Sequence, residues 1–392
     1  MKVVHITLHY IDGWGYQDNL LPVYQTKNGD SVTVLTENEH LQKKHSGKFV
    51  EEIIKKGDEY EIEGVRIVKF KCYLNTVNTS LYCSGLYNKL KNEEPDMIIH
   101  HGVVGCTLLV VARYKRKHPG VKLYVDNHTD WINNSKNHLW HLLYEKLYLS
   151  MVVKFVGKAV NLYLGVSPLR CSYLHQTYKI PDSRIGFLPL GCDIIMADSI
   201  KETKAELRSQ YQIPQEDYVI ISGGKMDRSK GTLTLIQACK NLYERGKNIH
   251  LLLFGTADNE VKKAADNSKV ITLIGWCNRE NTFKMLKMAD VACWPLLHTT
   301  LIEDSVASGL PLVVKSSGNV SHFEYVKNGV FLDTGDLQEV TSALLEVLDN
   351  HEKYFSAAVN ARELYSYESI VNDLKEGSIE RDYHKFLGRY NQ

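Results

Sequence analysis

Short runs of β-branched and other apolar residues recur along this chain without alternating polar positions, and an amphipathic stretch follows almost every one. A strand reads as a continuous apolar run when both of its faces are covered, and in soluble domains that is the signature of a parallel sheet between layers of helices. In the first half the strand candidates are Val3–Thr7, Ser31–Thr36, Val65–Phe70, Met97–His100, Lys122–Asp126, Leu162–Val166 and Gly186–Pro189. The helix candidates between them are Asp18–Lys27, Ser80–Lys91, Cys106–Lys117, His138–Lys158 and Leu169–Tyr178. The pattern pauses near Gly191-Cys192-Asp193 and then restarts with a helix over Lys201–Tyr211. Strands follow at Asp217–Ser222, His250–Phe254, Val270–Ile274, Asp290–Trp294 and Leu312–Lys315, with helices at Lys230–Arg245, Arg279–Lys287, Leu301–Ser308 and Asp336–Asn350. Two doubly wound α/β domains account for this repetition, and 392 residues suffice for two cores. The expected boundaries are 1–195, 196–366 and a polar helical tail over 367–392 that returns to the first domain.

Composition narrows the function classes. The 47 basic and 46 acidic side chains nearly cancel, which argues against a general nucleic-acid binder. The eight cysteines are scattered without a C-x-x-C pair, and several stand in apolar runs, as buried free thiols do in a reducing compartment. The opening Met1–Thr7 reads as a strand and not as a signal peptide, and no run approaches the ~20 apolar residues that span a bilayer. The chain is therefore expected in the cytoplasm, at the inner face of a membrane if it touches one. The stretch from Leu139 to Val166, apolar with Lys146, Lys154 and Lys158 interspersed, reads either as a core helix or as a surface leaning on lipid headgroups. The lysine-rich Lys43–Lys56 is either a second such patch or a solvated loop.

Two strand-to-helix turns carry glycine. The first, Gly13-Trp14-Gly15-Tyr16-Gln17-Asp18, matches a dinucleotide fingerprint only in part, because Asp18 stands where the third glycine belongs. It is either a flexible turn or a backbone that approaches substrate at the strand ends. The second runs Gly223-Gly224-Lys225-Met226-Asp227-Arg228-Ser229-Lys230-Gly231. Its lysine and glycine positions do not make a Walker loop, but Lys225, Arg228 and Lys230 in a glycine-bearing turn suit a diphosphate.

With the blocks that follow it, this turn resembles the retaining GT-B glycosyltransferases of family 4. "GGKMDRSKGTLTLIQA", "HLLLFGTAD", "VITLIGW", "MADVACWPL", "EDSVASGLPLVV" and "HFEYVKNGVFLDTGD" occur in the family's order, and "PDMIIHHG" and "VDNHTDW" match in the more divergent first half. The resemblance implies two Rossmann-like domains facing across a cleft that holds the active site, and closure that excludes water. It implies a nucleotide-sugar donor, UDP-sugar favoured, and an acceptor hydroxyl on a glycan or lipid-linked glycan, as in cell-surface polysaccharide biosynthesis. It further implies retention of configuration, no cofactor and no essential metal. Lys225 and Lys230 would hold the diphosphate and stabilise its growing charge. Glu303 would grip the donor ribose, and the backbone of Thr299, Thr300 and Leu301 would face the phosphates. Gly13, Gly15 and Gly224 would let the donor approach, and His128 would lie near the transferred sugar. Tyr16, Asp130 and His298 are the acceptor or sugar-facing candidates.

One departure stands out. The family's first motif glutamate lies eight positions before its second, and here that position is Pro295. A non-catalytic partner subunit is therefore one alternative. A nicotinamide-dependent oxidoreductase is another; it has Glu37 for the ribose but lacks the third glycine. His138, His141 and Glu145 have helical spacing, yet no second cluster completes a metal site, and no Asp-x-Asp occurs.

Overall fold

A computed structural model describes residues 1–8, 10–37, 56–75, 80–103, 105–133, 141–266, 268–296 and 298–390. The patch Lys43–Lys56, apart from Lys56 itself, lies outside these residues, as do His138 and the side chains of His141 and Glu145.

The chain divides into two units, Met1–Pro189 with Ile370–Lys385, and Leu190–Ser369 with Phe386–Gln392. The first is built on β1 (Lys2–Ile6), β2 (Ser31–Glu37), β3 (Glu59–Ile62), β4 (Val65–Asn75), β5 (Ser80–Ser84), β6 (Met97–His100), β7 (Lys122–Asn127), β8 (Leu162–Gly165) and β9 (Ile185–Phe187). Their order is β3-β4-β2-β1-β6-β7-β8-β9, and β5 pairs with β4. Pairing is parallel from β4 to β9, whereas β3 and β5 run antiparallel to β4.

That edge corrects one expectation. Ser80–Lys91 is not a single helix: Ser80–Ser84 pairs with β4, and the helix spans Leu86–Glu93 behind Gly85 at φ +77°. Cys83 opposes Cys72 across the pair, and both are buried, so a cross-strand contact outweighs the helical pattern of the segment.

The second unit holds β10 (Tyr218–Met226), β11 (Ile249–Ala257), β12 (Ile271–Ile274), β13 (Val291–Trp294), β14 (Leu312–Lys315) and β15 (Gly329–Leu332). The order β12-β11-β10-β13-β14-β15 is parallel throughout. Ile220, Leu251, Leu253, Val291, Cys293 and Val313 form one buried cluster with Leu235, Cys239, Leu242, Val340, Leu344 and Val347 from two helices. The intervening Ile221, Leu252, Ala292 and Leu312 are equally buried on the other face. Alternate residues thus enter two different cores, which is why these strands carry no polar alternation.

Named contacts explain where each unit ends. The Cys192 amide donates to the Tyr365 carbonyl, and Cys192 bridges Ser366, so the chain after Pro189 is tied to the helix Tyr367–Glu376. The Tyr367 ring stands against Gly191, where a Cβ would come within 2.5 Å of it. In the first unit the Phe187 amide donates to the Glu380 carbonyl and Tyr383 Oη donates to Asp182 at 2.7 Å. Those contacts assign Ile370–Lys385 to that unit.

Because Tyr367 is fully buried and cannot yield, Gly191→Ala is expected to lower unfolding free energy by about 1–3 kcal/mol. Chemical denaturation measures it, and an unchanged midpoint would mean the ring relaxes freely.

Candidate functional site

In the carboxyl-terminal unit the candidate site is built at the carboxyl ends of β10 and β13. Gly224 pairs in register with Gly255 across β10 and β11. A Cβ on Gly255 would lie 2.2 Å from the Gly224 carbonyl oxygen, and one on Gly223 would lie 2.4 Å from the Phe254 ring. Gly224 has φ +95° and Gly255 φ +110°, conformations glycine adopts without strain. The Trp294 indole donates to the Gly223 carbonyl at 3.1 Å and joins the end of β13 to the turn.

Beyond β10, Asp227 caps a single helical turn by accepting from the Ser229 amide at 2.9 Å, and Gly231 at φ +76° opens the helix Thr232–Glu244. Lys225 is largely exposed and stands 3.8 Å from Asp227. Lys230 is half-buried and makes no side-chain hydrogen bond or ion pair among the described residues. Across the turn, a Cβ on Gly224 would stand 3.3 Å from Leu301 Cδ1.

The helix Leu301–Ala307 carries Glu303 buried at its first turn. One carboxylate oxygen, Oε1, lies 3.0 Å from His298 Nε2, while Oε2 is buried without a hydrogen-bond partner. A buried carboxylate oxygen in that condition costs free energy until a donor reaches it. His298 therefore meets Glu303. At the start of this helix the Leu301 amide lies 3.5 Å from Thr299 Oγ1, and the Ile302 amide donates to the Thr299 carbonyl.

A strut that the sequence did not disclose holds this helix. Arg279 reaches Asp193 at 2.8 Å and Asp304 at 3.1 Å, and its guanidinium lies over the Phe283 ring. Burial lifts the Asp304 carboxyl to about 6 against the pull of Arg279. On the far side, a Cβ on Gly335 would meet the Pro295 carbonyl at 2.3 Å. Burial works against the charge on Glu339, but bonds from the Thr334 hydroxyl at 2.7 Å and from the amides of Asp333, Gly335 and Thr334 hold its carboxyl at about 2. Pro295 is thus packed into the turn that Glu339 closes.

The amino-terminal unit has a candidate site at the ends of β1, β6 and β7. His5 Nε2 lies 2.5 Å from Gln25 Oε1, His5 Nδ1 lies 2.9 Å from His101 Nε2, and His101 Nδ1 lies 2.6 Å from Asp126 Oδ2. The partners assign the protons. Gln25 Oε1 accepts, so His5 carries its proton on Nε2 and offers a bare Nδ1, and His101 must donate from both nitrogens. Asp126 also accepts from the Gly102 amide at 2.8 Å and lies 3.3 Å from His128 Nε2. Burial opposes the charge on His101, but attraction to Asp126 outweighs it and raises the pKa above 6.5. Burial likewise opposes charge on Asp126, but His101 and His128 hold it well below the usual carboxylate range. Burial drives His5 down to about 3, so it stays neutral. His128 is partly exposed and holds its Nε2 3.3 Å from Asp126 Oδ2.

Ligand atoms of His101, Asp126 and His128 lie within 4.8 Å of one another, close enough to hold a cation. Both nitrogens of His101 are already engaged, however, so a metal would have to break the ion pair first.

The remaining amino-terminal candidates separate. Gly13 has φ +73° with open space around it, and Tyr16 is exposed beside Trp14 at 5.1 Å. Gly15 lies between them, half-buried. Asp18 is bound by Thr7 Oγ1 at 3.2 Å in the first turn of the helix Gln17–Lys27. Asp130 is fully buried, accepts from the Ile132 and Asn133 amides and pairs with Arg170 at 3.2 Å, so it holds a turn. Its Asx-turn pattern, Asp130 followed by Asn133, was the available signal.

Comparison with known proteins bears on the carboxyl-terminal geometry first. Residues 203–364 match the family described as glycosyl transferases group 1. No curated protein matches the chain. Among solved structures, a glycosyltransferase from Rickettsia africae is similar at 16% identity and TM-score 0.67, over 98% of each chain. Anabaena HepE, solved in complex with UDP, is similar at 15% identity and TM-score 0.67, over 96% of this chain and 99% of that one. A putative UDP-N-acetylglucosamine 2-epimerase from Listeria monocytogenes reaches TM-score 0.58 at 13% identity, over 96% and 95%. The fold is that of GT-B glycosyltransferases, and because an epimerase is similar in fold, function must be argued from the site. The group 1 match contains the Gly223–Gly231 turn, Thr299–Leu301 and Glu303, all of them at the ends of β10 and β13.

The ion pair gives a testable sign. His101, raised, contributes stability that is complete below 6.5 and lost as pH rises through its folded value. Asp126, lowered, contributes stability that is complete above 3.8 and lost as pH falls through its folded value. Asp126→Asn should therefore bring the His101 titration below 6.5 in a proton NMR experiment and cost about 3–5 kcal/mol of stability. A His101 titration unmoved by the substitution would contradict the assignment of two protons to that ring.

Proposed function

We propose that this protein is a retaining glycosyltransferase that moves a sugar from a nucleoside-diphosphate donor, UDP-sugar first among them, to a hydroxyl of a glycan or lipid-linked glycan. The observation that carries the reading is the half-satisfied buried carboxylate of Glu303 beside a glycine turn with two lysines, Lys230, which has no partner among the described residues, and Lys225, which stands 3.8 Å from Asp227. A ribose diol supplies the donor that Glu303 Oε2 lacks. A diphosphate supplies an anion for Lys230 and a stronger partner than Asp227 for Lys225, next to the partly exposed backbone of Gly224.

In the transfer the bond between the anomeric carbon and the β-phosphate oxygen breaks, and the nucleoside diphosphate leaves with an added negative charge. Lys225 and Lys230 are assigned to neutralise that charge. The acceptor oxygen bonds to the anomeric carbon on the face the leaving group vacates, and its proton passes to the departing phosphate. His128, its Nε2 held 3.3 Å from Asp126 and its ring partly exposed, is assigned to hydrogen-bond a hydroxyl of the transferred sugar. Protein cations meet the diphosphate charge, so no metal is required. UDP is favoured because Anabaena HepE was solved with UDP and with UDP-glucose.

A second reading, a donor-binding subunit without turnover, draws on Pro295, which stands where the family's first motif glutamate belongs and is packed against Gly335. Nucleotide binding without transfer to any acceptor would favour it. The Gly13 loop gives the oxidoreductase alternative little, since Asp18 sits in the helix's first turn, bound to Thr7.

Lys230→Ala should reduce turnover by about 100- to 1,000-fold with the fold intact by circular dichroism. Glu303→Gln should weaken UDP-sugar binding in calorimetry by roughly 10-fold or more. A chelator should change neither affinity nor rate. Undiminished transfer by Lys230→Ala would sink the diphosphate assignment, and equal donor affinity in Glu303→Gln would sink the ribose one.

A further inference from the structure

Three of the eight cysteines meet in the amino-terminal unit, all as free thiols, and none has a part in the proposed transfer. Cys72 on β4 stands opposite Cys83 on β5 in their antiparallel pair. Residues opposed in this way have Cα atoms about 4.5–5.5 Å apart and side chains on one face. Cys106, the second residue of the helix Gly105–Lys117, completes the group. That helix packs on β5, and the Cys106 sulfur accepts hydrogen bonds from the Cys72 and Cys83 thiols. His100 fixes the segment before the helix, with Nδ1 2.8 Å from the Gly102 carbonyl and Nε2 2.9 Å from Thr107 Oγ1.

This group differs from the other buried thiols. Cys171, Cys192, Cys239 and Cys293 are sealed from solvent, and burial pushes their thiols up. Cys83 and Cys106 keep 7% and 6% of their surface open, enough for a small oxidant to reach them. The bonds from Cys72 and Cys83 lower the Cys106 thiol against its burial, while the bond to Cys106 raises that of Cys83. A sulfur at a helix start, held as thiolate beside a second thiol, has the form that reacts with peroxides. Among the described residues, the three-ligand group compact enough for a metal ion is His101, Asp126 and His128, not the three cysteines. Their arrangement thus favours chemistry between pairs of sulfurs over enclosure of a cation.

We propose that Cys106 and Cys83 form an oxidation site that a small hydroperoxide converts to a reversible disulfide. The Cys106 thiolate attacks one peroxide oxygen, the O–O bond breaks, and the sulfur becomes a sulfenic acid. The other oxygen leaves as hydroxide or alkoxide and takes a proton from water. The Cys83 sulfur then attacks the Cys106 sulfur, the S–O bond breaks, and the hydroxide departs with the Cys83 proton as water. Two thiols are oxidised and one peroxide is reduced. The disulfide ties the five-residue strand β5 to the start of the helix Gly105–Lys117, and a dithiol returns the two electrons. Glycosyl transfer is not needed for this chemistry, and failure of either proposal leaves the other standing.

The test is mass spectrometry of the full chain after brief exposure to hydrogen peroxide and alkylation of the remaining thiols. The expected product is a disulfide joining the Cys83 and Cys106 peptides, reversed by dithiothreitol. Cys83→Ser should halt the reaction at a Cys106 sulfenic acid, which dimedone traps. Cys106→Ser should slow the oxidation of Cys83 about tenfold or more. Circular dichroism checks the fold of each variant, and the disulfide map of the unaltered chain decides the pairing without them. Oxidation confined to the half-buried Cys277 would overturn the proposal. So would a Cys72–Cys83 disulfide that forms equally fast in Cys106→Ser. Stoichiometric zinc in the purified protein, lost in Cys83→Ser, would also overturn it by making the group a metal site.

Discussion

Backbone meets backbone where β10 passes β11, with the Gly224 carbonyl in the space a Cβ on Gly255 would need. The two strands pair in register over nine residues, so the close approach comes only after both have run through the core. Once past it, the chain turns at positive φ, and a single capped turn leads into the helix Thr232–Glu244. A covered parallel sheet hides its strand faces and offers only strand ends to a ligand. The glycines let the end of β10 pack closely on Phe254 and β11, and Lys225 and Lys230 follow them in the chain. Trp294, through its bond to the Gly223 carbonyl, makes the end of β13 part of the same platform.

Both units fix their polar residues through buried charge. In the carboxyl-terminal unit Arg279 braces Asp193 and Asp304, and with Asp304 the helix that carries Glu303. In the amino-terminal unit the His101–Asp126 pair, backed by neutral His5, holds the carboxylate towards which His128 Nε2 turns. Each arrangement is costly to bury, and each is nearly complete in its own partners. Oε2 of Glu303 is one of several buried polar atoms without a hydrogen-bond partner, and the one that lies beside the glycine turn.

Much of this was legible in the sequence, and the limits have physical reasons. The covered strands were readable because burial on both faces leaves a continuous apolar run, as in Leu251-Leu252-Leu253. The Gly223–Gly231 turn and Glu303 were readable as chemistry held in short local motifs. Cys83 was not, since its environment is set by Cys72 on another strand and not by its neighbours in sequence. The partner of Asp130 was not legible either, since Arg170 stands forty residues away. The Arg279 strut and the Gln25–His5–His101 chain join residues far apart in sequence, and no local pattern announces them. His298 is a milder case, placed near the site by sequence and turned by the fold towards Glu303.

The central claim, that the carboxyl-terminal unit receives a nucleoside diphosphate on its glycine turn and Glu303, is most directly tested by hydrogen–deuterium exchange of the intact protein with and without UDP. The account predicts slowed exchange in the peptides covering Ser222–Gly231 and Thr299–Ser305. Saturating UDP that leaves both peptides unprotected, or that protects only the Gly13 loop, would contradict it.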